Sequence, residues 1–203
     1  NEVITGRLCG IREFRVPTGV TAYFGVVNGN STVSINAQYA NVLGTLSGNA
    51  RGFAGGNSTS SGANGSGPGA GQGAGNCTFN SAASYGGTGT SFQTGAVGST
   101  YGSITQPTDL GSGGGACATN YRAGAGGGAI KITVTGTLTN NGTISSDGGS
   151  GPDFYYGSGG SGGSVWLTAA TLAGTGSITA NGGSSSSLGY AGNGGGGRIA
   201  LYY

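Results

Sequence analysis

The C-terminal 76 residues of this chain say nearly the same thing three times, and that repetition most limits what the chain can fold into. Gly128-Ala-Ile-Lys-Ile-Thr133 returns as Gly163-Ser-Val-Trp-Leu-Thr168 and again as Gly197-Arg-Ile-Ala-Leu-Tyr202, at offsets of 35 and 34 residues. A second echo runs between them: Thr137 to Gly149 recurs as Thr171 to Gly183, offset 34. A fixed period of this size marks a stacked repeat architecture. Each unit holds an alternating segment like Ile130/Ile132 and a second one centred like Ile144, closed by a Gly-rich loop. Neither segment can bury its apolar row alone. Stacking the next unit roughly 4.8 Å further along sets Val165 and Leu167 over Ile130 and Ile132, and Ile199 and Leu201 over those. The expected fold is therefore all-β: a β-solenoid, or parallel β-helix, with long ordered Gly-rich loops. A β-sandwich built from the same strands would not need one period.

The pattern starts earlier. Thr32 to Asn36 and Gly44 to Ser47 reproduce the segment pair, with Leu46 eleven residues after Ile35, the spacing that separates Leu167 from Ile178. The boundaries follow: residues 1–30 as N-terminal capping or docking strands, and 31–203 as a glycine-rich β-solenoid carrying a Gly-rich insertion at 52–127. The N-terminal segment reads as two or three strands between residues 3 and 27, broken by Pro17-Thr-Gly19.

The insertion has too few aliphatic side chains for a core of its own. Gly/Ser tracts are ordinarily flexible linkers. Runs with Gly at most positions can instead take threefold, polyproline-II-like conformations that pack side by side, because nothing projects from the backbone. Ordering them costs about 1–2 kcal/mol per residue, so dense hydrogen bonding between segments is required. We expect order, with Gly65–Gly75 and Gly111–Gly115 packed near the Gly157–Gly163 and Gly192–Gly197 loops, and Tyr85, Phe92, Tyr101 and Tyr121 as covers.

Several stretches carry a resemblance: Gly48-Asn-Ala-Arg-Gly-Phe-Ala-Gly-Gly56, Gly67-Pro-Gly-Ala-Gly71, Ser84-Tyr-Gly-Gly87, Tyr101 to Gly115 and the closing Gly-rich run into Arg198-Ile-Ala-Leu-Tyr202. From about residue 30 onward the chain resembles the glycine-rich β-helix segments of large secreted and surface proteins of bacteria and other microbes. The resemblance implies a parallel β-helix on the cell surface and no transferable activity.

Composition narrows function. There are 51 Gly, no His, no Met, seven Lys or Arg and five Asp or Glu, for a net charge of +2. No basic run offers a nucleic-acid footprint, and no stretch reaches the roughly 20 apolar residues of a membrane helix. Without His there is no imidazole base, and no catalytic residue, metal ligand set or cofactor is expected. Asp147 sits in a Ser-Asp-Gly-Gly turn whose counterpart residue is Asn181, which suits a turn former better than chemistry with Asp153. Gly-x-Gly-x-x-Gly strings arise by chance in a chain this rich in glycine.

Asn1 in place of an initiator Met points to a removed leader or to a piece of a larger polypeptide. The expected location is extracellular or at the cell surface. Sequons at Asn30, Asn57, Asn64, Asn76 and Asn141 are candidate glycosylation sites in turns or loops. Three cysteines leave three pairings open; Cys77–Cys117 is the expected disulfide, with Cys9 unpaired or bridging subunits. Rings at Tyr155, Tyr156, Trp166, Tyr190, Tyr202 and Tyr203 are candidates for glycan contact.

Two functions remain. One is a structural protein, a subunit of a self-assembling surface fibre formed by head-to-tail copies, with Ile199, Leu201 and Tyr203 at one end and Val3 and Ile11 at the other. The alternative is an adhesin or phage receptor-binding module that touches glycans through Gly-rich and Tyr-bearing loops.

Overall fold

The computed structural model describes residues 2–25, 33–58, 61–75, 77, 80–93, 95–117, 121–151, 156–185 and 191–203. Among these the chain is all-β and without helices. The strands are β1 (Glu2–Ile4), β2 (Arg7–Val16), β3 (Thr21–Phe24), β4 (Val33–Val42), β5 (Thr45–Ser47), β6 (Ala129–Val134), β7 (Thr137–Asn140), β8 (Thr143–Ser145), β9 (Ser164–Thr168), β10 (Thr171–Ala173), β11 (Ser177–Thr179) and β12 (Arg198–Tyr202). They form two parallel sheets. One runs β1-β3-β5-β8-β11; the other runs β10-β7-β4-β6-β9-β12, with β2 also paired to β4.

The register carries the sequence period into space. Val33, Ile130, Val165 and Ile199 are successive partners, as are Ile35, Ile132, Leu167 and Leu201, and Leu46, Ile144 and Ile178 form a third row in the other sheet. Like residues stacked on parallel neighbours bury each other's apolar faces, and the inner members of these rows are fully buried. The exposure rises at the last strand. Val165 and Leu167 are 0% and 2% exposed, whereas Ile199 and Leu201, directly beside them in β12, are 43% and 39% exposed.

Each repeat holds three strand segments rather than the two expected from its apolar rows. β4 runs unbroken for ten residues and pairs with β6 through Val33–Ala37 and with β7 through Ala40–Val42. Its inward pattern slips at Gln38 and Tyr39, which are both exposed. The chain bends there, and in the next repeats the same bend breaks the strand outright between β6 and β7 and between β9 and β10. Gly136 takes the corner because a Cβ there would lie 2.7 Å from the Tyr39 ring. The N-terminal strands join the same sheets: β2 pairs in parallel with β4 across a register shift between Leu8 and Ile11, where Gly10 has φ 71°. The left-handed backbone at that shift is one that side chains with a Cβ rarely adopt.

Candidate functional site

Beside the sheets lies a layer of glycine-rich segments, and its hydrogen bonds define it. Along 158–163 successive N–H groups donate in three rotating directions. Ser158 and Ser161 donate to the carbonyls of Gly115 and Ser112, Gly159 and Gly162 to those of Gly192 and Gly195, and Gly160 and Gly163 to those of Gly149 and Ser146. Segment 122–127 repeats the rule: Ala123 and Gly126 donate to Gly56 and Phe53, Gly124 and Gly127 to Ser158 and Ser161. A period of three residues with every bond leaving the segment is the polyproline-II pattern. Gly65–Gly75 and Gly111–Gly115 belong to this layer. The first packs against the second, through Gly71 N–H to Gly113 O, and the second against 158–161.

Where these segments meet, close approach requires glycine. A Cβ at Gly124 would lie 1.8 Å from the Gly149 carbonyl oxygen, and one at Gly160 would lie 2.1 Å from that of Ala125. Serine replaces glycine where the hydroxyl finds a partner in the gap. Ser146 Oγ donates to Gly128 O at 2.6 Å, and Ser112 Oγ accepts from Gly69 N–H at 3.0 Å. Both serines are buried.

An aromatic cluster ties this layer to the sheet. Tyr85 was expected as a cover but is wholly buried, with its hydroxyl 2.6 Å from Ser164 Oγ, which in turn donates to the Asp109 carbonyl. Tyr101 lies with its ring centroid 4.6 Å from that of Tyr85 and bonds to Leu110 O and Ser112 Oγ. Arg198 donates twice to the Tyr101 carbonyl and sits over the Tyr85 ring. Burial raises both phenols above the ordinary tyrosine value, partly offset by their serine hydrogen bonds.

The expected site residues are distributed as follows. Cys77 and Cys117 form a disulfide with Cα atoms 5.0 Å apart, and Cys9 is free and exposed. Asn57, Asn64 and Asn141 are exposed; Asn30 and Asn76 lie outside the described residues, as do Asp153, Tyr155 and Tyr190. Asp147 acts in its turn: Oδ1 accepts the N–H of Asn181 at 2.6 Å and Oδ2 the hydroxyl of Thr179 at 3.0 Å. Tyr156 packs edge-on against Tyr121, and Tyr202 donates to the Thr105 carbonyl. Val3 and Tyr203 are exposed, and Ile11 is half-buried against the core. No group of three or more His, Cys, Asp or Glu able to hold a metal exists among the described residues. Among the described residues no helix is long and apolar enough to cross a membrane.

One constellation escaped the sequence reading. On the outer face of the larger sheet, Arg7, Ser34, Lys131 and Trp166 are successive register partners across β2, β4, β6 and β9. Lys131 Nζ stands 3.7 Å from the Trp166 ring centroid. Arg7, Ser34, Asn36, Thr108, Lys131 and Thr133 line an open groove of about 610 Å³. No family model, curated protein or solved structure matches this chain.

Proposed function

We propose that this chain is an extracellular structural protein, a β-solenoid subunit of a self-assembling surface fibre, with no catalytic role. The observation that carries the reading is the in-register stacking of Ile35, Ile132, Leu167 and Leu201, which continues to the edge strand with its last member half-exposed. A row of this kind gains apolar burial from every strand added to it. At the other face, Leu8 and Ile11 on β2 are half-buried and Val3 is exposed, so the two ends are apolar and complementary in strand direction. A head-to-tail contact between such ends is heterologous and generates a filament rather than a closed ring.

The glycine layer supports the same reading. Its backbone groups are spent on neighbouring segments in three directions, which makes a stiff body from side chains too small to form a conventional core. The Cys77–Cys117 disulfide favours an oxidising, extracellular setting.

Electron microscopy and light scattering on the full chain test the proposal. Filaments are expected, and Leu201→Lys should abolish them while leaving the fold intact by circular dichroism. A strictly monomeric protein at high concentration would overturn the assembly.

A further inference from the structure

We infer that the groove on the outer face of the larger sheet binds an acidic polysaccharide, through carboxylates held by Arg7 and Lys131. The inference needs an extracellular setting but not the assembly.

The chemistry starts with charge. The groove is lined by two cations and four neutral hydroxyl or amide side chains, with no carboxylate among the described lining residues. Asp109, next in sequence to Thr108, turns its carboxylate elsewhere: a Cβ on Gly102 would lie 2.7 Å from its Oδ2 and 2.7 Å from the Tyr85 ring. Arg7 and Lys131 are thus available to an external anion. Both flank Ser34 in the register, which sets their Cα atoms roughly 10 Å apart, two strand spacings.

The remaining residues suit a saccharide better than a bare anion. Ser34, Asn36 and Thr133 present two hydroxyls and one amide along the groove floor, matched to the donors and acceptors of sugar hydroxyls. Beyond Lys131 the row continues to Trp166, whose Nε1 is buried without a hydrogen-bond partner, and then to the small, buried Ala200 of β12. The indole is half-buried, with Lys131 Nζ over its face and its Nε1 turned away from water. A sugar ring laid beside Lys131 would meet the exposed part of the indole ring. The groove continues past Asn36 and Thr133 into a second depression lined by Gly10, Ile11, Ala37, Gln38 and Thr135, so an extended polymer has room to follow it. Two cations are few for nucleic acid, which is held mainly by many phosphate contacts.

Binding of the full chain to polygalacturonate, dextran sulfate, neutral dextran and single-stranded DNA is measured by calorimetry at two salt concentrations. Polygalacturonate is expected to bind and to weaken with salt. Neutral dextran should not bind, and dextran sulfate and DNA should bind more weakly than polygalacturonate. Arg7→Ala and Lys131→Ala should each lower affinity by about tenfold or more. Arg12→Ala, an exposed cation of β2 outside the groove, should leave it unchanged, and Lys131→Arg should retain most of it. Thermal melts check that each variant folds, and microscopy shows whether the non-binding variants still form filaments. Absence of polygalacturonate binding, equal binding of neutral dextran or DNA, or equal loss in Arg12→Ala would overturn the assignment.

Discussion

Asp147 accepts the backbone N–H of Asn181, 34 residues on, through Oδ1 at 2.6 Å, while its own N–H donates to Asn49 Oδ1 at 2.8 Å. The side-chain oxygens of Asn49 and Asp147, at the same turn of successive repeats, thus each accept the backbone N–H of the next residue in the stack, Asp147 and Asn181. The same 34-residue step recurs from Thr175 N–H to Asn141, from Ser184 N–H to Ser150 and from Gly192 N–H to Ser158. Asp147→Ala should therefore lower stability by about 1–2 kcal/mol. Asp147→Asn keeps an acceptor oxygen and should lose less than half as much. Equal losses in urea denaturation would mean that the charge, not the acceptor, matters.

Leu167 is a buried inner member of the Ile35–Ile132–Leu167–Leu201 row, between Ile132 and Leu201. Leu167→Ala should destabilise by about 2–5 kcal/mol, since the rigid neighbours on both sides cannot close the cavity. Leu201→Ala, at the half-exposed edge, should cost the monomer under half of that. Chemical denaturation of the two variants gives the ratio directly.

The glycine layer makes a sharper contrast. Gly160→Ala pushes a methyl to 2.1 Å from a backbone carbonyl, whereas a Cβ on Gly196 has no neighbour closer than 4.0 Å. The first should cost about 1–3 kcal/mol or prevent folding; the second should stay within about 0.5 kcal/mol of the parent. Similar melting temperatures for both would count against the close packing of segments 146–149, 158–163 and 124–127.

The two buried phenols give a pH signature. Both Tyr85 and Tyr101 have folded-state pKa values raised by burial, so the folded state holds its protons where the unfolded chain has released them. Their contribution is complete below the ordinary tyrosine value near 10 and is lost as pH rises through the window above it. The slope there is at most about 1.4 kcal/mol per pH unit for each residue. Tyr101→Phe should flatten the alkaline part of a stability-versus-pH curve; an unchanged slope would place Tyr101 in water.

Opening the Cys77–Cys117 bridge frees a span of 40 residues. Loss of about 4 kcal/mol is expected from chain entropy. Hydrogen exchange should speed first in 111–116, inside the loop the bridge closes, and in 63–72, which is hydrogen-bonded to it through Ala63 and Gly71. Protection that stays unchanged there in a Cys77→Ser/Cys117→Ser variant would show that backbone bonds alone hold the layer.

Much of this was legible in the chain. The offsets of 34 and 35 named the partners of Ile132, Leu167 and Leu201, because a parallel in-register stack places like residues over like and the apolar side chains record it. The turn role of Asp147 followed from Asn181 at the same offset, and the pairing of Cys77 with Cys117 from their shared place in the insertion. The bend at Gln38–Tyr39 was not legible: Thr137-Leu-Thr-Asn140 reads equally well as the approach to Ile144 or as a strand of its own, and only the pairing of β7 with the far half of β4 separates them.

Glycine marks the limit. Its abundance in 52–127 told that segments pack closely or not at all, but a residue without a side chain carries no record of which neighbour its N–H will meet. That Gly160 bonds to Gly149 while Gly159 bonds to Gly192 is decided by the threefold turn of the backbone within the assembled layer. Lys131 and Trp166 stand 35 residues apart, on the repeat offset, but Arg7, Ser34 and Lys131 stand 27 and 97 apart, with no common period to link them. Sequence fixed their chemistry one residue at a time; the long insertion between β5 and β6, folded to one side of the sheets, is what lets β4 and β6 become neighbours and brings the four side chains into one row.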